Sequence, residues 1–167
     1  MPSSSPSLRP QIVDIPLTLK NEVEGKGRGV FAAMTFKKGE EVLEFLGEIR
    51  DVADFDDLTY ALQIGPSTFI GPSGDVDDFV NHSCEPNTGI REREGRVVLF
   101  ALTDIKAGLE ITFDYSTTQS GGYWTMDCQC GSDYCRGTIG DFRDLSTTLK
   151  SYYVKNRAVL PFLIKDL

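Results

Sequence analysis

Apolar residues recur in short bursts along most of this chain. The runs RGVFAA, EEVLEFLGEIR, TYALQIG, STFIG, RVVLFALTDI and LEITFDYS are continuous or alternating, and Gly, Pro and Asp separate them. Runs this short, bounded by turn residues, predict strands, so the body is mostly β. The pattern changes after Asp144, where Leu145, Leu149 and Tyr152 recur at helical spacing before Asn156. That spacing predicts a C-terminal helical segment with Ser146 or Asp144 as its cap. RAVLPFLIKDL then adds an apolar tail, one more helical turn interrupted by Pro161. Residues 1–11 are rich in Ser and Pro and are expected to form a disordered tail. Nothing in the pattern repeats, and 167 residues suit one domain with its own core.

Charge narrows the partners. Seventeen Lys and Arg against 25 Asp and Glu leave a net charge of −8. Such a field repels phosphate backbones and attracts cations, so a basic peptide suits the surface and direct nucleic-acid contact does not. No apolar run reaches membrane-spanning length, and MPSSSPSLRPQ lacks the features of a secretory signal. The expected location is intracellular, with nucleus and cytoplasm left open.

The four cysteines sharpen that reading. Without an export signal, a metal site is preferred to two disulfides. Cys128, Cys130 and Cys135 form a C-x-C-x4-C cluster in DCQCGSDYCRG, with Gly131 and Gly137 giving the backbone room to wrap an ion. Structural zinc takes four ligands, and Cys84 is the thiol left to complete the set. Cys84 lies in NHSCEPN, beside His82, the only histidine. A Cys-His nucleophile pair is disfavoured there because one residue, Ser83, separates the two in a turn sequence. A Ser-His triad fails for the same local reason, since Ser83 would have to fold back on His82.

Four segments in order, GKGRGVFA, NHSCEPN, GLEITFDY and CQCGSDYCRG, resemble the SET-domain family of protein lysine methyltransferases. The first three resemble its cofactor and active-site segments, and the fourth its post-SET zinc segment. The resemblance runs from about Val23 to Gly137. It implies a SET-domain fold of small curved sheets with a pseudoknot, in which NHSCEPN crosses the segment carrying Tyr115. The organisation it implies is a SET domain over 12–117, a post-SET zinc segment over 124–140 and a C-terminal helical extension over 141–167. The implied activity is methyl transfer from S-adenosylmethionine to a lysine side chain of a protein, with a histone among the candidate substrates and one structural zinc ion as a clip. The runner-up is a catalytically weak SET-fold module that binds basic peptides.

By spacing alone Tyr115 is a core tyrosine on a strand and KGRG is a turn. The resemblance gives both a role. It places Tyr115 at the catalytic centre and as a cofactor contact, and Phe113, on the same strand face, at the position where phenylalanine leaves room for di- or trimethylation. Lys26, Gly27 and Arg28 are carried over as backbone contacts to the methionine part of S-adenosylmethionine, and Asn81 and His82 as backbone contacts to its adenine. Several positions depart from the family pattern. Phe45 stands where a tyrosine is common, removing a hydroxyl that would orient the amine. Asp77 and Asp78 precede FVNHS where a basic residue is common, and GLE replaces an acidic pair. Tyr60 matches an aromatic position near the channel and fits a core role equally well. Asp51, Asp54, Asp56 and Asp57 read either as a solvated loop or as a cluster steering a basic peptide. The C-terminal helix is expected over the post-SET region or the substrate groove, with Tyr152, Tyr153, Phe162 and Leu163 as contacts.

Overall fold

The computed structural model describes residues 16–23 and 26–165, so the tail expected at 1–11 lies outside the described residues. Twelve strands and one α-helix are found among them, in the order β1 Leu17–Val23, β2 Gly27–Ala32, β3 Glu41–Glu44, β4 Ile49–Asp51, β5 Leu62–Gln63, β6 Thr68–Ile70, β7 Asn81–His82, β8 Thr88–Arg93, β9 Arg96–Ala101, β10 Thr112–Phe113, β11 Met126–Asp127, β12 Thr138–Ile139 and α1 Thr147–Lys155. The mostly β architecture with a C-terminal helix is consistent with the SET-domain fold. No helix among the described residues is long and apolar enough to cross a membrane.

The strands make five small sheets: β1 with β2, β3-β9-β8, β4-β6-β5, β7 with β10 and β11 with β12. The most regular is built on β9. Glu94 and Gly95 both take positive φ, 53° and 75°, which closes β8 and β9 into a two-residue hairpin matched to strand twist. Successive side chains of β9 face opposite ways and feed two cores. Val97, Leu99 and Ala101 join Val30, Leu43, Ile70, Ile90 and Ile111. Phe100, with the following Leu102, joins Phe142, Leu145, Tyr153, Ala158 and Val159. One strand thus ties the C-terminal segment to the body.

Several expectations are corrected. EEVLEFLGEIR splits into β3 and β4, because the chain leaves β9 after Glu44 and joins β6, exposing Leu46 and Ile49. LEITFDYS contracts to β10, since Asp114 accepts a hydrogen bond from the Ser116 N–H at 3.1 Å and starts a 3₁₀ turn over Tyr115–Thr118. Phe113 and Tyr115 therefore do not share a strand face. Helix α1 is capped by Ser146, whose Oγ accepts the Leu149 N–H at 3.2 Å. Its inward positions are Leu149 and Tyr153, while Tyr152 is 44% exposed and Leu145 precedes the helix. Pro161 opens the last 3₁₀ turn, Pro161–Leu163, instead of interrupting one, because a first-turn N–H has no partner to lose. Strands β1, β7, β8, β11 and β12 lie outside the runs that the pattern marks, β7 within the expected turn NHSCEPN. In β8 the apolar start passes into the charged RER end, which hides the period.

Candidate active site

Two strands of two residues each bring the site together. Asn81 pairs with Thr112 and His82 with Phe113, in parallel. A pairing this short needs help, and side chains supply it. Asn87 donates through Nδ2 to the Glu110 carbonyl at 2.8 Å and accepts through Oδ1 from the Thr112 N–H at 3.0 Å. Thr88 Oγ1 donates to the Thr112 carbonyl at 2.7 Å. NHSCEPN and TFDY are thereby held side by side, although 31 residues separate their partners in β7 and β10.

This junction borders a cavity of about 730 Å³, within the usual range for small-molecule sites. Five of the six expected cofactor contacts line it: Lys26, Gly27, Arg28, Asn81 and Tyr115. His82 does not line it. Gly27 has φ of +73°, which disfavours any side chain. A Cβ on Gly29 would meet Val23 at 2.7 Å and the Glu110 carboxylate at 2.8 Å. Glu110 organises this wall. It accepts from Asn81 Nδ2 at 2.8 Å and pairs with Lys26 Nζ at 3.4 Å. Asn81 Nδ2 also donates to the Arg28 carbonyl at 2.8 Å, so both amide donors are committed and its Oδ1 is left as an acceptor. The Arg28 guanidinium lies 3.8 Å from the centre of the Phe79 ring, and Tyr60, at φ of 61°, packs edge-on against the same ring. Tyr60 and Asp57 line the cavity, as do Asp77 and Asp78. Asp77 and Asp78 are engaged in local hydrogen bonds to Leu46, Ser73 and Gly74.

Aromatic rings line the other end. Phe113 is 4.9 Å from Tyr115 centre to centre, Phe45 is 5.9 Å from Phe113, and Trp124 is 6.1 Å from Tyr115. The Tyr115 hydroxyl donates to the Val80 carbonyl at 2.7 Å. Its backbone N–H donates to His82 Nδ1 at 3.1 Å, which leaves Nε2 to carry the proton and donate to Cys84 Sγ at 3.3 Å. Burial pushes the Tyr115 phenol well above its ordinary value, and Glu110 adds to the shift. Burial also pulls His82 down to about 4, against the pull of Asp114, so the ring is neutral at neutral pH. His82 is thus a buried bracket between the tyrosine turn and the cysteines.

The four cysteine sulfurs lie within 4.8 Å of one another, with Cys84 and Cys128 at 3.7 Å. Tetrahedral zinc with Zn–S bonds near 2.3 Å separates its sulfurs by about 3.8 Å, so this set fits a structural zinc ion. Donors already aim at the sulfurs. Besides His82, the Arg136 N–H points at Cys84 Sγ at 3.4 Å and the Gly137 N–H at Cys135 Sγ at 3.5 Å. Such donors stabilise thiolates over thiols.

Glu110 and Trp124 escaped the sequence reading. GLE drew notice as a departure from pattern, with no role attached to its glutamate. Trp124 is the single tryptophan of the chain and stands four residues before Cys128, the one local signal that marks it.

A family model described as SET domain matches residues 27–116. Among curated proteins, the histone-lysine N-methyltransferase NSD3 of Mus musculus is 37% identical over 136 residues, covering 71% of this chain and 9% of that protein. Su(var)3-9 of Drosophila melanogaster, also a histone-lysine N-methyltransferase, is 32% identical over 158 residues, covering 75% of this chain and 25% of that one. The chain thus spans a minor part of these relatives. Among solved structures, KRYPTONITE in complex with mCHG DNA and SAH matches with a TM-score of 0.62 and 29% identity, covering 74% of this chain and 28% of that one. KRYPTONITE with mCHH DNA, an H3(1-15) peptide and SAH matches at a TM-score of 0.60 and 28% identity, over 74% and 29% of the two chains.

Proposed function

The chain belongs to the SET-domain family, and from that premise we propose that it is a protein-lysine N-methyltransferase that uses S-adenosylmethionine. Its substrate is a lysine in a basic protein segment, with histone tails the first candidates, and its products are di- or trimethyl-lysine. The observation that carries this reading is the cavity itself, where Lys26, Gly27, Arg28 and Asn81 line one part and the Tyr115 ring, with Phe45, Phe113 and Trp124 around it, lines another. The histone-lysine methyltransferases similar to the chain support the substrate class.

S-adenosylmethionine would supply a methyl group on a sulfonium, which a neutral amine attacks in line, so that a C–N bond forms as the C–S bond breaks, S-adenosylhomocysteine leaves and the methylated amine sheds its proton. The chain's own residues have three tasks around that chemistry. Asn81, fixed by Glu110, offers Oδ1 as an acceptor, and the backbone of Lys26, Gly27 and Arg28 offers a wall without bulky side chains. The aromatic rings give the lysine an apolar sleeve, which lowers its pKa from about 10.4 and favours the neutral, nucleophilic amine. Tyr115 stays protonated, because burial disfavours the phenolate, and its proton is committed to the Val80 carbonyl. Its oxygen therefore acts as an oriented dipole and not as a base. Phe113 brings no hydroxyl to the sleeve, which leaves room for an amine that already carries methyl groups. The four cysteines would hold a structural zinc ion that fixes the segment following Trp124.

The test is turnover. The zinc-loaded protein is incubated with labelled S-adenosylmethionine, mixed histones and a basic peptide library, and products are read by mass. Tyr115→Phe is expected to lower the rate by about 10²–10³-fold, the usual cost of removing one oriented dipole. Phe113→Tyr is expected to shift products towards monomethyl-lysine. Cofactor binding without methyl transfer to any of these substrates would overturn the enzyme in favour of a peptide-binding module.

A further inference from the structure

The methyltransferase reading uses Tyr115 and Phe113 but leaves the residue between them without a task. Asp114 points away from the cavity, and its side chain is completely buried. Both carboxylate oxygens are engaged. Oδ1 accepts from Arg136 Nη2 at 2.7 Å and from the Ser116 N–H at 3.1 Å. Oδ2 accepts from Arg136 Nη1 at 2.8 Å and from the Tyr153 hydroxyl at 2.8 Å. The Arg136 contact is bidentate and charge-assisted, the strongest class of side-chain hydrogen bond. Tyr153 is 1% exposed, and burial followed by the neighbouring Asp114 charge drives its phenol upward, which keeps it a donor.

These partners come from different parts of the chain. Arg136 follows Cys135 directly and aims its backbone N–H at Cys84 Sγ, while Tyr153 belongs to α1. Cys84 Sγ also accepts a hydrogen bond from His82 Nε2, and His82 Nδ1 accepts one from the Tyr115 N–H. The contacts close a ring: Tyr115 to His82, His82 to Cys84, Cys84 to Arg136, Arg136 to Asp114, and Asp114 to Tyr115 through one peptide bond. A buried carboxylate without its partner is strongly unfavourable, so Arg136 supports the side chain that caps the turn at 115–118.

We propose that Asp114 is a positioning residue that locks the turn carrying Tyr115 to the four-cysteine segment, with Tyr153 of the C-terminal helix as the second anchor. Order at the cysteines is thereby passed to the tyrosine, and α1 belongs to the site although it lines none of it. The inference rests on the methyltransferase reading for its kinetic arm alone.

The experiment compares full-chain wild type with D114N, R136K and Y153F. Amide hydrogen exchange of 115–118 is followed by mass spectrometry with zinc and after chelation, and peptide KM and kcat are measured beside it. In wild type, chelation is expected to speed exchange at 115–118 by about tenfold or more, the scale of losses when a partner behind a metal ligand is removed. In D114N exchange is already fast and chelation adds less than about twofold, because the link is gone. Y153F moves in the same direction by less, and R136K stands in if D114N does not fold. The kinetic arm expects kcat to fall while affinity for S-adenosylhomocysteine stays near wild type, a split that general destabilisation does not produce. Unchanged exchange at 115–118 in folded D114N, or an undiminished effect of chelation there, overturns the proposal. A wild type that transfers no methyl group ends the kinetic arm and the methyltransferase reading, while the exchange arm still decides the role of Asp114.

Discussion

Gly29→Ala tests how closely the cofactor wall is built. Gly29 is buried in β2, and an added Cβ would lie 2.7 Å from Val23 Cγ2, 2.8 Å from Glu110 Oε1 and 3.1 Å from Asn81 Nδ2. Carbon contacts relax near about 3.5–4.0 Å, so at least one neighbour must retreat by close to an ångström. Overpacking of this kind costs about 1–3 kcal/mol, and each kcal/mol lowers the midpoint by about 2–4 °C in a domain of this size. The second effect is local. Glu110 Oε1 is the atom that receives Asn81 Nδ2 at 2.8 Å, so its retreat frees the amide that both donors had fixed. A hydrogen bond to a charged partner is worth about 1.5–3 kcal/mol, which sets the expected loss of S-adenosylhomocysteine affinity at about tenfold or more. Calorimetric titration gives the affinity and thermal unfolding the midpoint, with Glu110→Gln as a companion that keeps shape and removes charge. A Gly29→Ala protein with wild-type affinity and midpoint refutes the packing argument. One that loses stability but binds normally refutes the link from Glu110 through Asn81 to the cofactor.

Two further outcomes are expected. Elemental analysis should find about one zinc per chain; chelation or Cys128→Ser should shift Trp124 emission towards that of an exposed indole and abolish activity, with zinc restoring both after chelation, whereas a metal-free protein indifferent to chelators would contradict the site. Asn87→Ala removes two hydrogen bonds at the crossing of β7 and β10 and should destabilise the fold by about 2–4 kcal/mol in denaturant unfolding, and Asn87→Asp, which keeps the acceptor for Thr112 but turns a carboxylate oxygen onto the Glu110 carbonyl, should not restore it.

What could be read from the sequence depended on whether a residue's partner leaves a local trace. Cys128, Cys130 and Cys135 announce themselves by spacing, and counting thiols supplied Cys84, whose sulfur lies with theirs. The runs RVVLFA and RGVFA stand out as apolar stretches because most of each is packed in the core. β7 and β10, at two residues each, are too short for a period of their own: β10 is visible only as part of the longer run LEITFDYS, and β7 only through its motif. Spacing marks Tyr152, because a three-residue step from Leu149 looks as helical as a four-residue one, whereas it is Tyr153 that turns inward, to the carboxylate of Asp114, 39 residues away. Asp114, Arg136 and Glu110 went unassigned for the same reason. A charged residue in a strand-like run carries no mark that its partner will arrive 22 or 84 residues along the chain.

Those separations govern how the molecule is made. Lys26 waits for Glu110, and Asp114 waits first for Arg136 and then for Tyr153. At about 5–20 residues per second, synthesis from Lys26 to Tyr153 takes on the order of ten seconds, during which β7 and much of the cofactor wall lack their partners. Pairings that close such long loops are slow to form even in the finished chain. The nascent protein therefore passes through a period with short unpaired edges and unassembled thiols, and the contacts that run from the cysteines through Asp114 are complete only once α1 has emerged.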